Sequence, residues 1–185
     1  MTYMRKYGIL TGKILGILAL GFTLSFSRDK KKRIQLHQKC DRLWYTIDRK
    51  KLCEVLKRLR LNNFLIFEKQ KDGSEKARLT LSGKTHALRY QFNNLNIKIP
   101  RHWDKKWRIV LFDIPEEKRK IRDALRKKLK KLGFLEFQKS VFIFPYSCAD
   151  EINFIINFFD IYDNVYYLEA PISPDSQFRK RFKLN

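Results

Sequence analysis

Acidic side chains are scarce in this chain. Its 185 residues carry 19 Asp and Glu against 41 Lys and Arg, a formal charge of +22. Solubility needs far less than that. An excess of this size points to a polyanion, since each phosphate met by a cation releases counterions. Cysteine is scarce too. Cys40, Cys53 and Cys148 are far apart, odd in number and form no CxxC pair. That pattern excludes a disulfide framework and a zinc site of ordinary spacing, and fits reduced thiols in a cytoplasm. The three histidines, His37, His86 and His102, show no ligand spacing. No Gly-rich phosphate loop, GxSxG or HExxH is present, and no cofactor is expected. What the chain does have is apolar material. It is 44% hydrophobic and 14% aromatic, enough to build cores and to exclude disorder.

One apolar stretch raises a topological question. Ile9 to Phe26 is 18 residues long, interrupted by Lys13 and by Gly12, Gly16 and Gly21. That length is at the threshold for a membrane span. The flanking charges, Arg5 and Lys6 before it and Lys30 to Arg33 after it, give no sidedness. Thr23 to Ser27 is a poor cleavage site for a signal peptide. The run is therefore expected to be a core or dimer-forming helix over 9–26, with a membrane or signal segment as the alternative.

Helical periodicity breaks near Asn93 to Asp104, where Pro100 disfavours helix at Ile99. This places a boundary: a front domain over 1–97, a linker over 98–104, a second domain over 105–170 and a basic tail over 171–185. Residues 1–100 hold 23 basic and 7 acidic side chains, a net of +16, and the rest of the chain holds +6. In the front half, Arg33 to Trp44 reads as a short helix. Asp48 can cap a second helix from Arg49 to about Leu61. There Leu52, Val55, Leu56 and Leu59 mark one buried face, and the other positions are mainly Lys and Arg. Two β-prone runs around Asp72-Gly73 read as a hairpin, and Ser82 can cap a helix after it. Helix, helix, hairpin is the order of a winged helix-turn-helix, which sets its second helix in the major groove of duplex DNA.

The back half opens on a β-rich run from Trp107 to Asp113. A helix follows from Glu116 to about Leu132 with Ile121, Leu125, Leu129 and Leu132 as its core face. Gly133 ends it. Strands over Phe134–Phe137 and Ser140–Phe144, a helix over Asp150–Phe159 and a strand over Asn164–Leu168 complete a βαββαβ order, the ferredoxin-like pattern. The expected fold class is α+β, a winged helix followed by this domain. Trp103 and Trp107 could stack on bases, but packing at the domain junction is expected of them.

The block Trp107 to Glu116, with Leu125, Leu129, Gly133-Phe134 and the strand ending at Pro145, resembles the central domain of PaaX-type transcriptional repressors. It is also similar to the small CRISPR adaptation nuclease, the second of the Cas proteins, notably at Phe112-Asp113-Ile114 and at Gln138 to Phe142. The PaaX resemblance implies an N-terminal winged helix, which the order of residues 1–95 matches. It also implies a further C-terminal, ligand-sensing domain. This chain stops soon after Glu169, so control by a thioester ligand is not expected.

The expected function is that of a dimeric, double-stranded-DNA-binding repressor. Arg49, Lys50, Lys51, Lys57 and Arg58 would face the groove, and Lys71, Lys76 and Arg78 would contact phosphates from the wing. The homodimer would form through the ferredoxin-like domain. The alternative comes from the CRISPR resemblance. There Asp113, paired across a dimer, would bind Mg²⁺ as the catalytic carboxylate of a nuclease or of a subunit beside a CRISPR integrase. The plainer expectation is that Asp113 caps the turn into the next helix.

Overall fold

The apolar run divides in two. In the computed structural model, which describes residues 4–19, 24–26 and 48–184, helix α1 spans Met4–Ala19 and strand β1 spans Leu24–Phe26. The single helix expected over 9–26 is thus corrected. Both pieces join one front unit. Ile14, Leu15 and Leu18 of α1 are buried. Gly12 lies so close to Tyr90 that a Cβ would sit 1.9 Å from its ring. Apolar length alone cannot tell a buried helix from a buried strand, and here the pairing partner makes the difference. Among the described residues no helix is long and apolar enough to cross a membrane. The helix expected over Arg33–Trp44 lies outside the described residues, as do His37 and Cys40.

Helix α2 covers Arg49–Leu61, and the Asp48 carboxylate accepts the Lys51 amide at 2.9 Å as its N-cap. Strands β2 (Leu65–Lys69) and β3 (Glu75–Leu79) form the hairpin. At its turn Gly73 takes φ 76, a left-handed conformation that Gly adopts at no steric cost, and Asp72 accepts from the Ser74 amide and hydroxyl. The sheet order is β1-β3-β2, all antiparallel. Helix α3 (Leu81–Asn94) follows. Its cap is Thr80, not Ser82. The Thr80 hydroxyl accepts the Gly83 amide at 3.0 Å and donates to the Asn63 carbonyl at 2.6 Å, a link to the end of α2 that local spacing does not reveal. Leu52, Val55, Leu59, Phe64, Leu65, Ala77 and Ala87 join α1 in one core.

The chain divides into two compact units, Met1–Asn93 and Asn94–Asn185. In the second, β4 (Trp107–Phe112) leads through a 3₁₀ turn at Glu116–Lys118 into α4 (Arg119–Lys131). Then come β5 (Leu135–Gln138), β6 (Val141–Phe144), α5 (Ala149–Phe159) and β7 (Val165–Ala170). The four strands lie in the order β5-β6-β4-β7, every neighbour antiparallel. This is the split βαβ topology of a ferredoxin-like sheet. The basic stretch expected over 171–185 contains a helix, α6 (Ser176–Phe182). Phe178 of α6 is 3% exposed and packs with Trp107 and Ile143, an apolar anchor among the Arg and Lys that dominate that stretch of sequence.

Candidate nucleic-acid interface

Four apolar residues seat α2. Leu52, Val55, Leu56 and Leu59 are buried, and from Lys50 onward the other side chains of the helix are exposed. Positions seven apart lie nearly in line on a helix. Lys50 and Lys57 therefore form one exposed row, farthest from the buried face, and Lys51 and Arg58 form a second. The rows differ in freedom. Arg58 donates from Nη2 to Oγ1 of the fully buried Thr11 at 3.3 Å, which ties it back to α1. Arg60 lies over the Phe67 ring at 5.4 Å and links α2 to the hairpin. Arg49 begins the helix. Three further residues share the outward face, Glu54, Leu61 and the free thiol Cys53. Glu54 is the one acid there, and a count of basic positions had passed over it.

The three hairpin cations are unlike one another. Lys71 is exposed at the loop. Arg78 is held by Glu68, with Nε 3.2 Å from Oε2. Lys76 is half-buried and stands opposite Glu68 in the register. Only Lys71 thus stands clear of Glu68.

In the second unit, Asp113 is exposed just past β4. Its amide donates to the Asn164 carbonyl and its carbonyl accepts from Asn164 Nδ2, both at 2.9 Å. It does not cap the following turn, whose N-cap is Pro115 without a side-chain bond. Among the described residues no group of three His, Cys, Asp or Glu could hold a metal. One exposed carboxylate does not supply the ligand set that Mg²⁺ needs from a protein without a second carboxylate or a substrate phosphate. The described residues of one chain therefore do not fit a metal centre.

Trp103 and Trp107 pack within this unit, with centroids 4.9 Å apart. Trp107 is fully buried and donates from Nε1 to Asp175 Oδ2 at 3.2 Å. A fully buried ring cannot stack on a base.

Sequence reasoning missed Arg108. It is 3% exposed, and its guanidinium grips Asp104 through Nη1–Oδ1 at 2.6 Å and Nη2–Oδ2 at 2.5 Å. Nη1 also donates to the carbonyls of Lys106 and Pro145, and Nε lies 3.4 Å from Glu169. The hydrogen bond from Arg108 holds the Asp104 carboxyl down to about 2. The spacing Asp104…Arg108 was the available signal. This fork closes the segment before β4 onto the sheet and is structural. Nearby, burial pushes the Cys148 thiol up to about 12, which leaves it inert.

Residues 100–181 match the family model described as the PaaX protein central Cas2-like domain. Over these residues the chain is similar to the central domain of the PaaX family. The resemblance carried by Trp107 to Pro145 is borne out, and the match runs on through most of α6. The PaaX segment thus takes in the Arg108 fork, the four-stranded sheet and the basic helix α4. A comparison with curated proteins finds no match.

Proposed function

We propose that this chain is a PaaX-like transcriptional regulator that binds double-stranded DNA as a homodimer in the cytoplasm. The front unit acts as a winged helix-turn-helix. In support, β1 pairs with β3 beside a hairpin that follows α2, the element order such a domain requires. The observation that carries the reading is the exposed row Lys50 and Lys57 on a helix whose opposite face is fully used by the core. In the mechanism, α2 enters the major groove. Lys50 and Lys57 meet base edges or phosphates, and Arg49 and Lys51 flank them. Arg58, tied to Thr11, sets the angle of the helix while adding charge. Lys71 touches backbone from the wing, Lys76 does so beside it, and Arg78 does so once Glu68 releases it. Dimerisation runs through the four-stranded sheet.

The test is duplex binding by Lys50→Glu/Lys57→Glu, with circular dichroism to verify folding. Affinity should fall by about tenfold or more, and the slope of log K against log salt should become shallower by about 2, near 0.9 per lost phosphate contact. Unchanged affinity and slope in the folded variant would remove α2 from the interface.

A further inference from the structure

Helix α4 carries more charge than its own unit neutralises, and the surplus lies along one line. Its apolar face is spent on the core, where Leu125 and Leu129 are buried. The acids nearby take up one flank only. Glu116 pairs with Arg119 at 3.7 Å and with Arg122 at 2.8 Å, and Glu136 pairs with both Arg126 and Lys130. On the other flank Lys120, Lys127 and Lys131 are exposed. Positions i, i+7 and i+11 fall on one stripe, about 16 Å long at 1.5 Å per residue. Lys120 and Lys127 have no ion pair among the described residues. The half-buried Asp123, the only acid on the helix itself, has none either. Lys128 beside the stripe is held down to about 8 by burial and then by Lys131, as a strongly positive neighbourhood requires.

We propose that Lys120, Lys127 and Lys131 form a second phosphate-contacting surface, fitted to the backbone of a nucleic-acid duplex. A stripe of this length matches about five base-pair steps of 3.4 Å. Lysines are point charges on flexible stems, suited to phosphates and poor at reading bases. A helix that lies on an anionic membrane inserts an apolar face, and α4 has none to offer because Leu125 and Leu129 are already buried. The proposal shares the duplex partner with the reading above but rests on other residues in the other unit. It adds affinity without sequence preference, so that α2 alone reads the site.

The experiment uses the full chain and a short random-sequence DNA duplex, titrated at several salt concentrations. Lys120→Glu/Lys127→Glu is compared with Lys139→Glu/Lys180→Glu, which removes the same charge from exposed positions elsewhere in the unit. Expected is about a tenfold loss of affinity and a slope shallower by about 2 for the α4 variant, with a clearly smaller change for the control. Equal effects of the two variants would reduce the stripe to net charge and overturn the proposal. So would an unchanged slope in a folded α4 variant, or loss of binding to phosphatidylserine vesicles with duplex binding intact. The Lys50→Glu/Lys57→Glu variant keeps the two ideas apart. If it binds like wild type while the α4 variant weakens, the α2 reading fails and the stripe stands.

Discussion

Lys128 sits on a helix crowded with exposed lysines yet is itself only 4% exposed. Burial disfavours its charged form and lowers its pKa from 10.5 to about 8. Between pH 8 and 10.5 the unfolded chain therefore binds more protons at this site than the folded one, and stability rises with pH across that window. Below pH 8 both states are protonated and the full penalty applies. Replacing the lysine by Met isolates the effect. As pH goes from 7 to 10.5, the stability of Lys128→Met relative to wild type should fall by about 3 kcal/mol in urea denaturation. A gap that stays constant with pH would contradict the buried placement. Arg108 is likewise a buried cation, its guanidinium met by Asp104, two carbonyls and the neighbouring Glu169. Only the spacing Asp104…Arg108 hinted at one of them, and nothing in the sequence singles out Lys128. Both are cations in cation-rich stretches, and only the path of the chain decides which of them loses water.

Periodicity made the elements legible wherever a face is buried. The Leu52, Val55, Leu56, Leu59 pattern and the Asp48 cap place α2 as observed, and the Asp-Gly pair places the hairpin turn. Errors arose where two local solutions competed. Thr80 and Ser82 are both good caps, and Thr80 takes the role because its hydroxyl also reaches the Asn63 carbonyl. Thr80→Ala should cost about 1–2 kcal/mol, measured by thermal or urea unfolding, since it removes the cap and that second bond. Ser82→Ala should be close to neutral, and a larger loss there than at Thr80 would reverse the assignment. The run from Ile9 to Phe26 failed in the same way. A continuous apolar stretch fits helix or strand, and β3 supplies the partner that makes Leu24–Phe26 a strand.

At the scale of the molecule, the second unit has two unlike sheet faces. Trp107, Ile109 and Leu111 alternate onto one face of β4, opposite Ala170, Leu168 and Tyr166 of β7. Phe178 of α6 covers the Trp107 end. Leu168 and Tyr166 remain 48% and 55% exposed. An apolar patch on a chain of charge +22 suits burial against a copy of itself, where a two-fold axis sets like surface on like. Leu168→Glu/Tyr166→Glu should therefore convert the proposed dimer to a monomer in light scattering at micromolar concentration. A dimer that survives both changes would move the interface elsewhere.

The sequence alone determined the sign and placement of charge, the helical faces of α2 and α4, the hairpin, and the βαββαβ order that the PaaX match accompanies. These follow from composition and short-range spacing, which need no partner. Tertiary structure alone decided which cations stay available. Arg58 is tied to Thr11, Arg78 to Glu68, and Arg126 and Lys130 to Glu136, while Lys50, Lys57, Lys120 and Lys127 have no such tie among the described residues. The reason is that each of these ties joins two different elements, and a charge is free or spent according to what folding brings beside it.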